Sequence, residues 1–354
     1  MAYTAIDDPS EYFHIQLWTG TSDDSTKTIT NDANAGDFKP DWLWIKARNG
    51  NYETRDHALY DSSRGATKRL ESNANDAEVN TDSNNTFNTN GFTLTANYSI
   101  NGPSTTHVGW QWKANGGTTA SNDDGSITST VQANTTAGFS IVSYTGTGSG
   151  ATVGHGLGAT PTWVLVKERG AAGEAWNNLH QGVGEGKTIM LNLTNAEQSS
   201  TTMWNNTPPN ASVFSVGADA GSNGSSKTYV AYCFTEKKGY SKFSEYTGTG
   251  SADGPFVYTG FTPAFIIRKD TGGTEQWTMM DDTRKLFNVN KSILNPNRSN
   301  AEAGNANLSI DLLSNGFKVR SGDGASNAAG GIYIYMCFAS HPFVSSEGVP
   351  ATAK

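Results

Sequence analysis

Large apolar side chains in this chain occur in short runs, separated by long polar stretches rich in Asn, Ser, Thr and Gly. Some runs alternate: Phe13, Ile15 and Leu17 are spaced by more polar neighbours, the pattern of a half-buried strand. Others are continuous, and one is written three times. Pro40-Asp41-Trp42-Leu43-Trp44-Ile45-Lys46, Pro161-Thr162-Trp163-Val164-Leu165-Val166-Lys167 and Pro263-Ala264-Phe265-Ile266-Ile267-Arg268-Lys269 each place an aromatic ring two residues after the proline and a lysine six after it. Proline has no amide hydrogen for a ladder, so it opens a strand or sits at an edge. The bulky, β-branched residues behind it predict a buried strand, and the lysine predicts its exit to solvent. Three copies imply three equivalent cores.

The other landmarks recur in the same order. An aromatic strand ends in Thr-Gly-Thr at 19–21, 145–147 and 247–249, and the proline strand follows. Each unit closes on an aromatic strand, Val108-Gly109-Trp110-Gln111-Trp112, Val230-Ala231-Tyr232-Cys233-Phe234 or Ile334-Tyr335-Met336-Cys337-Phe338. Short strands, turn signals between them and no helical period predict an all-β chain of three tandem, jelly-roll-like β-sandwich repeats, at 1–120, 121–239 and 240–354. A single assembly with pseudo-threefold symmetry is the alternative arrangement. Trp42, Trp163, Phe265, Trp112, Phe234 and Phe338 are the expected core residues. The polar tract from Glu71 to Asn88 is expected to wrap the surface as a loop.

Composition narrows the function. Charged residues make up 16% of the chain, against about 25% in an average globular protein. Net charge is −8 and Lys and Arg form no run, which argues against nucleic acid as a partner. No apolar stretch approaches the ~20 residues of a membrane span, and the first residues lack the basic and apolar regions of a secretory signal, so a soluble chain made in a cytoplasm is expected. Cys233 and Cys337 occupy equivalent aromatic strands and are expected to be buried free thiols.

Candidate chemistry is sparse. His57 and Asp61 share a strand face, and the equivalent pairs are Trp176/His180 and Trp277/Asp281, so one structural slot is filled differently each time. Asp23-Asp24, Asp123-Asp124 and Asp281-Asp282 are the acidic pairs from which a calcium site or a glycosidase carboxylate would come. The glycine-rich segments 146–150 and 182–186 lack the spacing of a phosphate-binding loop and read as hairpin turns. Tyr52 and Trp204, set among Asn, Glu and Thr, are the aromatics expected to contact sugar. No cofactor is expected.

Several phrases carry a resemblance: Trp44-Ile45-Lys46, Tyr60-Asp61-Ser62-Ser63-Arg64-Gly65-Ala66-Thr67-Lys68, Thr136-Ala137-Gly138-Phe139-Ser140-Ile141-Val142-Ser143-Tyr144-Thr145-Gly146-Thr147, and Ile334-Tyr335-Met336-Cys337-Phe338-Ala339-Ser340-His341-Pro342-Phe343. They resemble the repeat domain of virion structural proteins of marine bacteriophages. The resemblance implies a non-enzymatic protein assembled into the virion in the host cytoplasm, as a tail-fibre, tail-associated or surface appendage. It implies partners among other virion proteins, a homo-oligomer with a trimer favoured, and contact with host glycans. A capsid decoration or head-fibre protein is the alternative, and a polysaccharide-trimming enzyme the third reading.

Overall fold

A strand with apolar side chains at every position needs cover on both faces, and the three proline-led strands receive it. The structure, a computed structural model, describes residues 3–21, 25–34, 36–49, 55–81, 85–95 and 97–351. It is an all-β, sandwich-class fold. The first large sheet contains β1 (Phe13–Thr19), β2 (Trp42–Ala47), β3 (Ala58–Asp61) and β4 (Thr106–Trp112) in the order β1-β4-β2-β3. The second contains β5 (Ser129–Asn134), β6 (Phe139–Thr145), β7 (Trp163–Glu168), β8 (Asn177–His180) and β9 (Thr228–Phe234) in the order β5-β6-β9-β7-β8. The third contains β10 (Ser241–Thr247), β11 (Phe261–Asp270), β12 (Thr278–Asp281) and β13 (Ile332–Pro342) in the order β10-β13-β11-β12. One order of four strands therefore recurs in all three sheets, and the second adds β5, with Ala120–Asn122 paired outside it, next to β6.

Register fixes the equivalences. Trp42 pairs with Trp112 and Asp61, Trp163 with Phe234 and His180, and Phe265 with Phe338 and Asp281. Successive side chains point to opposite faces, so each large sheet has two apolar faces. Leu43 and Ile45, Val164 and Val166, and Ile266 face a small outer layer, each in a separate apolar cluster. Trp42 and Trp44, Trp163 and Leu165, and Phe265 and Ile267 face a fourth cluster, common to all three sheets.

That common cluster corrects the expectation of three self-contained cores. Trp42, Trp163, Phe265, Trp112, Phe234 and Phe338 are all buried, and they line the shared centre. Ring centroids there lie 5.7 Å apart for Trp112 and Phe338, 6.0 Å for Phe234 and Phe338, and 4.4 Å for Trp42 and Tyr232. A continuous apolar strand shows that both faces are covered, but not whether the second cover comes from its own repeat.

The Thr-Gly-Thr turns are held by a recurring clamp. The amides of Thr21, Thr147 and Thr249 donate to Oδ1 of Asn101, Asn223 and Asn327 at 3.2, 2.8 and 2.7 Å. Nδ2 of Asn223 donates back to the carbonyls of Ser149 and Gly217, and that of Asn327 to those of Ser251 and Ser321. The glycine between the threonines is required by space: a Cβ on Gly146 would stand 2.4 Å from the Gly224 carbonyl oxygen, and one on Gly248 2.2 Å from that of Ala328. Asn223→Ala removes a buried side chain that satisfies the Thr147 amide and the carbonyls of Ser149 and Gly217, so a loss of about 2–3 kcal/mol is expected in urea unfolding. An unchanged midpoint would remove the clamp from the list of stabilising contacts.

Candidate functional site: the seams between the sheets

Three seams join the sheets in a closed cycle, first to second, second to third, and third back to first. At the first, Trp176 Nε1 donates to the Glu71 carbonyl at 2.8 Å. At the second, Trp277 Nε1 donates to the Met190 carbonyl at 2.9 Å. At the third the same slot holds His57. Its Nδ1 accepts from Trp44 Nε1 at 2.8 Å, so the proton sits on Nε2, which donates to the Asn295 carbonyl at 3.0 Å. Backbone bonds repeat the cycle: the amides of Glu78, Glu197 and Glu302 donate to the carbonyls of Arg169, Thr271 and Arg48 at 2.8, 2.8 and 2.7 Å.

Two seams carry buried charge relays. In the first, Arg64 pairs with Asp61 and, at 2.8 Å, with Glu78, which also pairs with Arg169 of the second sheet at 2.9 Å. Tyr232 donates to Asp61 from across the seam at 2.7 Å. In the third seam, Arg284 pairs with Asp281 and with Glu302 at 3.0 Å, Glu302 pairs with Arg48 at 2.9 Å, and Trp110 Nε1 donates to Asp281 at 3.0 Å. Burial acts to raise the Glu78 and Glu302 carboxyls, but the arginines outweigh it and hold both below the usual range.

The second seam is built without that relay. His180 stands where the aspartates stand, Val183 replaces the arginine, and Thr271 replaces Arg48 and Arg169. Glu197 pairs instead with Lys187 of its own sheet. Burial pushes His180 down to about 3, so it is neutral and needs no counter-ion.

Lys46, Lys167 and Lys269 correct another expectation, since they do not leave for solvent but are buried. Their ammonium groups donate to backbone carbonyls: Lys46 to Ala47 and Ser299, each at 3.0 Å, Lys167 to Glu168 at 2.8 Å, and Lys269 to Asp270 and, at 2.9 Å, Gly273. The Ser299 carbonyl belongs to the third sheet's loop, so Lys46 also spans a seam. Burial pushes each lysine down to about 8.

These shifts set a pH dependence. An unfolded lysine keeps its proton to about pH 10, whereas the folded lysines release theirs near 8. Between those values the unfolded state holds more protons, so stability rises with pH. His57, His155 and His180 are lowered by burial from 6.5, which makes stability fall as pH drops through 6.5. The buried Cys233 and Cys337 thiols are raised and oppose the gain above about pH 9. Urea unfolding at pH 7, 8 and 9 is expected to show a rise of about 1 kcal/mol per lysine across that range. A flat or falling series contradicts burial of the three ammonium groups.

The remaining sequence candidates are scattered. Trp204, expected to meet sugar, is fully enclosed in the second outer core, a correction to that expectation: its Asn and Thr neighbours are exposed while the indole turns inward. Tyr52 and the Asp23-Asp24 pair lie outside the described residues. Asp123 and Asp124 are exposed, whereas Asp281 and Asp282 are buried, Asp281 in the third seam. Among the described residues, no three His, Cys, Asp or Glu side chains converge as a metal site. No described helix is long and apolar enough to cross a membrane. The seams themselves were hard to find from sequence, because Arg64 and Glu78 are separated by polar residues that resemble a loop.

An all-β architecture of three like-ordered sheets around one core is the class that the fold defines. A family model described as "Domain of unknown function (DUF7483)" matches residues 8–342, and the chain belongs to that family. No curated protein matches the sequence.

Proposed function

We propose that this chain is a non-enzymatic structural protein of a virion, a tail-associated or surface appendage that docks on other virion proteins and presents a rigid body to the host surface. The observation that carries this reading is the use made of buried charge. Lys46, Lys167, Lys269, Arg64 and Arg284 are held by backbone carbonyls or by carboxylates of the seams. Catalytic groups with perturbed pKa values instead face a space where substrate sits. The marine-phage resemblance adds the virion context. Capsid decoration is the second reading, favoured by the exposed side chains of Leu286, Phe287 and Val289, which suit a protein surface. Imaging of purified particles with the chain tagged at its C-terminus tests both. Label on the tail supports the appendage, label over the head selects decoration, and unlabelled particles overturn the virion assignment.

A further inference from the structure

The edge strands of the three sheets are equivalent, but they are treated in three ways. In the second sheet, β6 is covered by β5, which runs antiparallel to it with Gln132 opposite Ile141. Gln132 is fully buried, and its side chain fills the first seam. Nε2 donates to Ser62 and Ser63 at 3.0 and 2.8 Å, and Oε1 accepts from the amides of Asn115 and Gly117. Asn134 donates to the carbonyls of Lys113 and Ala114.

In the third sheet β10 is the terminal strand, with β13 on its inner side and no described strand on its outer side, where two side chains stand in for one. Glu236 accepts from the Phe243 amide at 3.0 Å, and Gln181 donates to the Phe243 carbonyl. By register Phe243 is the counterpart of Ile141, and Gln181 that of Ser62.

In the first sheet β1 is the terminal strand. Beside it runs an open groove of about 230 Å³, lined by Phe13, His14, Ile15, Ala264, Asp282 and Thr283, with Ala339 and Ser340 behind and Leu286 on the rim. Asp282 and Thr283 are the register counterparts of Ser62 and Ser63, and Ala339 and Ser340 those of Lys113 and Ala114. The groove is therefore, in the third seam, the place that β5 occupies in the first.

We propose that this groove is a strand-acceptor site: an extended segment of another polypeptide adds antiparallel to β1, as β5 adds to β6. Main-chain ladder bonds to an edge give such docking its affinity, and side-chain pockets at alternate positions give its specificity. The counterpart of β5 fixes the ligand chemistry, an uncharged, β-branched strand with an amide side chain placed as Gln132 is, facing Asp282 and Thr283. The site follows from the seam geometry and stands whether or not the chain is found on a virion.

The test uses the intact protein and a synthetic peptide with the sequence of residues 126–136. Amide hydrogen exchange across residues 13–19 is expected to slow roughly tenfold on peptide binding, while residues 139–145 stay as protected as before. Thr283→Arg, which obstructs the groove from the seam side, abolishes the effect. So does a peptide N-methylated at alternate amides, a control that leaves the protein's folding untouched. Unchanged exchange at 13–19 with saturating peptide overturns the proposal. Protection of the same residues that grows with protein concentration and needs no peptide overturns the choice of occupant and gives the edge to a second copy.

Discussion

Replacing Trp42 by alanine is expected to cost about 3–5 kcal/mol and to lower the stability of the whole chain in one transition. The ring is fully buried and packs at 4.4 Å from both Trp112 of its own sheet and Tyr232 of the next, with Phe139 and Phe234 close behind. The cavity opens in the cluster that all three sheets share, where the first sheet meets the second. Phe214→Ala, by contrast, empties part of the second outer core and leaves the centre untouched. Chemical unfolding followed by fluorescence and by far-ultraviolet circular dichroism distinguishes the two. For Trp42→Ala the two probes are expected to move together to a lower midpoint. A variant in which only part of the signal shifts would mean that the common cluster is not a common core.

The second large effect belongs to Arg64. Its guanidinium is enclosed, with Asp61, Glu78, the Tyr232 hydroxyl and the carbonyls of Leu59 and Lys68 around it. Arg64→Leu leaves Asp61 buried without its cation, and a loss of about 3–5 kcal/mol is expected. The double variant Asp61→Asn, Arg64→Leu removes both charges and is expected to lose less than the single one, because Glu78 keeps Arg169. The second seam already runs on this principle, with neutral His180 and Val183 at the same positions. A double variant as unstable as the single one would contradict the assignment of the penalty to uncompensated charge.

The parts of the fold that were legible in the sequence were local. Pro40, Pro161 and Pro263 with their following rings mark strand openings, and the threonine-glycine turns precede them at each recurrence. The clamp that explains those turns joins residues as far apart as Thr147 and Asn223, and only its threonine end was marked by a recurring motif. The seams were less legible, because their partners are distant and have no pattern of their own. Nothing local marks Ser299 as the acceptor for Lys46, or Met190 as the acceptor for Trp277. Lysine at a strand end ordinarily marks solvent, and only the carbonyls gathered around Nζ reverse that reading. Trp204 failed for a related reason: exposed polar neighbours describe the loop's surface, and the indole belongs to its interior.

The acceptor groove shows how comparison within one chain adds to either source alone. Sequence places β1, β6 and β10 in equivalent positions, but gives no reason to regard β5 as a cover for one of them. The structure gives that reason through Gln132, whose amide bonds to the Ser62–Ser63 pair.

Differential scanning calorimetry of the intact chain tests the shared core most directly. Three sheets around one core, closed by three seams, are expected to unfold in a single peak, with a ratio of van't Hoff to calorimetric enthalpy of about one. A ratio near one third, or three resolved peaks, would show three domains that unfold independently and would contradict the common centre.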